Sequence, residues 1–184
     1  MLGLVSETRF LIIRHAESEW NASDRWQGHG DPPLSARGRM QAQSLADDLA
    51  GESVDALYSS DLARAIETAT IIGAGWGLQP QLNRNLRELD IGEWTGLTRS
   101  EIEKRAAELL ARFEAEDPDV RPGGGESRRE IRIRIRREMA QIAARHPAQT
   151  VAVVTHLGAL RALFPGTEPP NSDWRWADAS QLPL

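Results

Sequence analysis

The chain of 184 residues has no cysteine, one tyrosine, three phenylalanines and a single lysine, Lys104, beside 21 arginines. Without cysteine there are no disulfides, no thiolate metal sites and no thiol redox chemistry, and a cytoplasmic chain is the plain reading. Nowhere do about 18 apolar residues follow one another, and MLGLVSETRF has no basic stretch leading into a long apolar run. Neither a membrane partner nor a secretory leader is expected. Positive charge is also not in excess: the net charge is −5, whereas nucleic acid is held by a surplus of Lys and Arg over a surface. A soluble enzyme of small molecules fits better. At roughly 100 to 200 residues per domain, residues 1–184 are expected to form one domain.

Two short apolar runs, FLII at 10–13 and VAVV at 151–154, read as strands buried on both faces, and VDALY at 54–58 is a third candidate. Between them lie segments of helical period. Leu62, Ala65, Ile66, Ala69 and Ile72 recur at steps of three and four, and Met40, Leu45 and Leu49 mark an earlier helix more loosely. Thr98 with Glu101 and Ser127 with Glu130 match the capping box that starts a helix. IRIRIR at 131–136 alternates like a strand, yet Ile131, Ile135, Met139 and Ile142 share a helical stripe behind a capping box, so helix is expected. The segment 113–126 reads as a mobile loop between two helices, and the stretch from Pro165 onward as loop with one short edge strand. Alternating strands and helices predict the α/β class, a three-layer α/β/α sandwich around a mostly parallel sheet.

Two of the four histidines, His15 and His156, stand just beyond the C-terminal ends of buried strands. In open α/β sheets ligands bind there. Arg14 beside His15 disfavours a metal ion and lowers the imidazole's proton affinity. An anion suits the pair, with the guanidinium on phosphate oxygens and neutral imidazole free as nucleophile or base. Arg64, in the first turn of its helix, meets the positive end of the dipole, a conflict that either a nearby anion or an ion pair with Asp61 resolves. Glu88 sits in a turn-rich apolar stretch, LRELDIGEWTG, that could desolvate a carboxyl into a general acid, although pairing with Arg84 or Arg87 is equally open. The arginines from Arg128 to Arg137 alternate with glutamates and read as a solvated helix face. His29 and His146 read as structural, and Trp26 and Trp94 as core or pocket wall.

LIIRHAESEWN resembles the signature of the histidine phosphatase superfamily, the phosphoglycerate mutase-like fold. WQGHGDPPLSARGRMQA, LYSSDLARAIETA, LRELDIGEWTGL, PGGGES and VAVVTHLGALRAL follow in the family's order, so the resemblance spans about Phe10 to Leu163. It implies that His15 takes the phosphoryl group, that Arg14, Arg64 and His156 hold its oxygens, and that Glu88 protonates the leaving group. Asn21 matches a residue near the phosphate pocket. Trp26 is expected to line the substrate side. No metal or organic cofactor is required by such a scheme, and the partner is a phosphate ester.

Ala16 and Leu157 depart from the resemblance, each standing where the family usually has glycine after a histidine. Leu157 is expected to narrow the pocket or shift His156. The preferred function is a metal-independent histidine acid phosphatase-type phosphomonoesterase. The alternatives are a cofactor-dependent phosphoglycerate mutase, which goes with longer insertions than this chain has room for, and a catalytically weak phospho-ligand-binding protein of the same fold.

Overall fold

A computed structural model describes residues 7–183; the first six residues of the N-terminal stretch MLGLVSETRF lie outside the described residues. FLII forms the middle of β1 (Arg9–Arg14) and VAVV the middle of β4 (Thr150–Thr155), which pair in parallel from Arg9 opposite Thr150 to Arg14 opposite Thr155. β2 (Ala56–Ser59) lies parallel on the far side of β4, and the two-residue β3 (Gln81–Leu82) extends the sheet beyond β2. β5 (Trp174–Asp178) runs antiparallel along β1 and supplies the expected edge strand. The order is β3-β2-β4-β1-β5. The third strand starts two residues later than VDALY suggests, because the Asp55 carboxylate caps β4 by accepting the Thr150 N–H at 2.8 Å.

Side chains alternate across the sheet. Phe10, Ile12, Tyr58, Val151 and Val153 face one core, closed by Ile135, Met139 and Ile142 of α5 (Arg128–Arg145) and Ala159 and Leu163 of α6 (Leu157–Leu163). Leu11, Ile13, Leu57, Ala152 and Val154 face another, closed by Leu45 of α2 (Ala36–Asp48), which follows the one-turn α1 (Glu19–Ala22), and by Ala65, Ala69 and Ile72 of α3 (Ala63–Trp76). Three layers result, and IRIRIR is helical, with Ile133 exposed between buried Ile131 and Ile135.

Two side chains leave the expected stripes. Met40 is 67% exposed, because α2 buries Gly38, Ala42, Leu45 and Ala46 instead. Ile66 is only half-buried, its place in the core taken by Thr68 and by Arg64.

Both capping boxes are formed: Thr98 and Glu101 start α4 (Arg99–Glu114), and Ser127 and Glu130 start α5. The segment between them is packed rather than free. Phe113 belongs to α4, Val120 is buried, and Glu126 N–H donates to the Asp90 carbonyl at 2.8 Å. Gly123, at φ +55°, presses on the turn around Ile91, where a Cβ would stand 2.3 Å from the Ile91 carbonyl oxygen. No helix among the described residues is long and apolar enough to cross a membrane.

Candidate active site

Because β1 and β4 are parallel neighbours in register, the residues that follow their last pair, His15 and His156, emerge side by side. Their ring centroids are 5.0 Å apart, close to the roughly 4.8 Å between adjacent strands. His15 is anchored by donating its N–H to the Thr155 carbonyl at 2.9 Å, while its own carbonyl accepts from Asn171 Nδ2 at 3.0 Å. β2 ends beside them, and the turn after it leads into α3, which carries Arg64. Three strand ends thus converge.

The surroundings of the His15 ring select one tautomer. Its Nδ1 lies 2.7 Å from the Ala16 carbonyl, which can only accept, so Nδ1 carries the proton and Nε2 holds a free lone pair. Burial, then the positive charges of Arg64 and Arg14, hold the imidazole well below its usual 6.5. His156 is fully buried and neutral for the same leading reason, with Arg64 next. Neither of its ring nitrogens meets a partner among the described residues.

Arg64 is 0% exposed. Its two terminal nitrogens donate to the carbonyls of Gly30 at 2.8 Å and Gly28 at 3.0 Å, and burial lowers its pKa to about 10, so it stays charged at neutral pH. The surface pair with Asp61 is not formed. Asp61 is taken by Arg87, in two bonds of 2.6 and 2.7 Å. Arg14 donates to the Pro169 carbonyl at 2.6 Å, and its pKa too is lowered by burial.

Glu88 pairs with neither Arg84 nor Arg87; its carboxylate accepts from the backbone N–H of Leu89 at 2.7 Å and of Gly158 at 2.9 Å. Its charge is felt at both Arg14 and Arg64. Position 158 must be glycine for this arrangement, since a Cβ there would stand 2.1 Å from the carboxylate oxygen. The Glu88 backbone is held as well. Its carbonyl accepts from His29 Nε2 at 2.9 Å and from Arg134 at 3.1 Å, and Arg134 also donates to the carbonyls of Asn85 and Arg87 while pairing with Glu126 at 2.6 Å.

Arg14, His15, Arg64 and Glu88 open onto one cavity of about 410 Å³, with His156 buried beside His15 behind its wall. Asn21 reaches it, but its amide oxygen is occupied by the Ser18 N–H and hydroxyl, each at 3.1 Å, in a capping box. Trp26 lines the wall, its ring 5.7 Å from Trp94 and 5.6 Å from Phe113, and Trp94 stands behind it in the core. Leu157 also lines the wall, while His156 keeps its place beside His15. Among the described residues no group of three or more His, Cys, Asp or Glu side chains is arranged to hold a metal.

One expectation holds only in part, since Arg129, Arg132 and Arg137 are exposed but the other arginines of their run are not. The arginines from 128 to 137 are not a uniform solvated face: Arg128 and Arg132 line the cavity with Arg161 and Arg25, and Arg134 braces Glu88. Their alternation with glutamates hid the fact that α5 starts at the cavity edge. Arg161 could have been found from its place one helical turn beyond Leu157 and Gly158.

The family model for the histidine phosphatase superfamily (branch 1) matches residues 10–178. "Phosphoglycerate mutase-like protein 4" of Arabidopsis thaliana is 39% identical over 90% of this chain and 73% of its own. "Phosphoserine phosphatase 1" of Hydrogenobacter thermophilus is 37% identical over 85% of this chain and 74% of its own. Among solved structures, mycobacterial glucosyl-3-phosphoglycerate phosphatase complexed with VO3 superposes at a TM-score of 0.83 with 32% identity, covering 91% of this chain and 90% of its own.

Proposed function

The chain belongs to the histidine phosphatase superfamily, branch 1, and from that premise we propose that it hydrolyses phosphomonoesters through a phosphohistidine on His15. The observation that carries this is the fixed tautomer: with Nδ1–H donated to the Ala16 carbonyl, Nε2 is a neutral nucleophile even below its usual titration range. Nε2 attacks phosphorus in line as the bond from phosphorus to the leaving oxygen breaks. Glu88, taking up a proton as the substrate anion engages Arg14 and Arg64, gives it to that oxygen, releasing the alcohol. The carboxylate then takes a proton from water as the water oxygen attacks the phosphohistidine, returning His15 neutral and Glu88 protonated with phosphate released. Arg14, Arg64 and an N–H of His156 stabilise the equatorial oxygens throughout.

The buried Nε–H of Arg64 and the two ring nitrogens of His156, all without partners among the described residues, support those roles, since buried polar groups left without protein partners are kept for a ligand. The test is release of phosphate from p-nitrophenyl phosphate with EDTA present. The wild type is expected to turn over and His15→Ala to lose at least about 10³-fold of that rate. Activity retained in His15→Ala, or abolished by EDTA, would overturn the scheme.

A further inference from the structure

The cavity holds more positive charge than one phosphate group needs. Beyond Arg14 and Arg64, Arg128 at the first position of α5 and Arg161 in the last turn of α6 face it. A cation in the first turn of α5 opposes that helix's dipole. Each of the two also keeps a buried Nε–H that finds no acceptor among the described residues. Arg161 is near enough to Arg14 and to Arg128 for its charge to lower the pKa of both. Arg14, Arg161 and Arg128 therefore form a cationic track leading away from the phosphate position.

Glu88 answers this track at its inner end, where its charge reaches Arg14, but the carboxylates beside Arg128 and Arg161 stand at the outer rim. Glu116 stands 3.7 Å from Arg128 and Glu168 pairs with Arg161, yet the two carboxylate side chains are 66% and 67% exposed. Pairs so open to water contribute little and yield readily to a better-placed anion. Beside the track the cavity offers apolar contact from Phe113, whose ring lies 4.6 Å from the Arg128 guanidinium, and from Ile131 and Ala162.

Resting on the phosphatase reading above, we infer that Arg128 and Arg161 form a second anion subsite, which selects phosphomonoesters whose leaving alcohol carries a carboxylate or a second phosphate. Their guanidinium forks match either group. Arg128 also donates to the Phe113 carbonyl at 3.2 Å, so a merely structural role must be separated from a binding one.

Calorimetric binding to the His15→Ala protein does this with three related probes: glycerol phosphate, phosphoglycerate, in which a carboxylate replaces a terminal hydroxymethyl group, and glycerol bisphosphate. The doubly charged esters are expected to bind about 10-fold or more tightly than glycerol phosphate. Their ranking reports whether carboxylate or phosphate is the better fit. Arg128→Gln combined with Arg161→Gln is expected to remove most of that ratio, and Arg128→Lys, which keeps the charge, to retain part of it. Equal affinities for the three probes, or a ratio that survives the double substitution, would overturn the subsite. Affinity is read without turnover, so a wild type inert toward all three esters would overturn the phosphatase reading while the ratio still decides on the subsite.

Discussion

Arginines on the outer surface and arginines around the cavity live under opposite electrostatic rules. Arg99, Arg112 and Arg129 are exposed, each bonded to a carboxylate (Glu114, Asp117 and Asp119), and these partners raise their pKa values. Arg14, Arg64 and Arg128 are lowered instead, in each case chiefly by burial. The difference shows where charge is balanced by the protein and where it is held for something that arrives from outside. Inside, guanidiniums are fixed by backbone carbonyls, which orient them without neutralising them.

The strongest way to break this comparison is the same substitution in both places. Arg64→Gln is expected to lower kcat/KM for p-nitrophenyl phosphate by about 10²- to 10³-fold, the range for removing one preorganised transition-state donor. Arg129→Gln should leave kcat/KM unchanged and move the melting temperature by no more than about 2 °C. Comparable losses at the two positions would dissolve the distinction.

A subtler contrast concerns Arg134, which lies between the classes because it both pairs with Glu126 and braces three carbonyls around Glu88. Arg134→Gln should lower kcat about 10-fold or more, with KM little changed, through misplacement of the proton donor. A positioning role predicts that a substrate with a very acidic leaving group, which needs little protonation, is less affected than an alkyl phosphate. Equal losses for the two substrates would assign Arg134 to folding alone.

The contrast extends to the pH dependence of stability. His15 and His156 have folded pKa values below the unfolded 6.5, so the unfolded chain binds more protons as pH falls through that value. The melting temperature should therefore decline by a few degrees as pH drops below about 6.5, by linkage to the two buried rings. Asp117 and Asp119 have depressed values, so what their pairs contribute is present above 3.8 and is lost only as pH falls below it. A melting temperature flat from pH 7 to pH 5 would mean that the rings are not held neutral.

Much of this was legible in the chain because strand burial and chemistry share the same residues. FLII and VAVV announce buried strands by their composition, and the residues just after them, RH and TH, mark where a parallel sheet exposes its chemistry. Arg64 could be suspected from its conflict with the helix dipole, but not the two carbonyls that hold it, since Gly28 and Gly30 are distant in sequence. Arg128 was missed because a run of alternating Arg and Glu looks the same whether it borders water or a cavity. Glu88 could not be ranked above its acidic neighbours, as its distinction lies in the Gly158 N–H, supplied by α6.

The pairing of Arg14 with Thr155 has one more consequence. Sliding β1 by one residue against β4 would turn its whole side-chain set to the opposite face. His15 would then leave its neighbour while burial of the strand changed little in amount. Correct alignment of two strands distant in sequence is thus a condition of turnover as well as of stability, and a misaligned molecule would be compact yet silent. For this chain, specific activity measures how faithfully the sheet has been assembled.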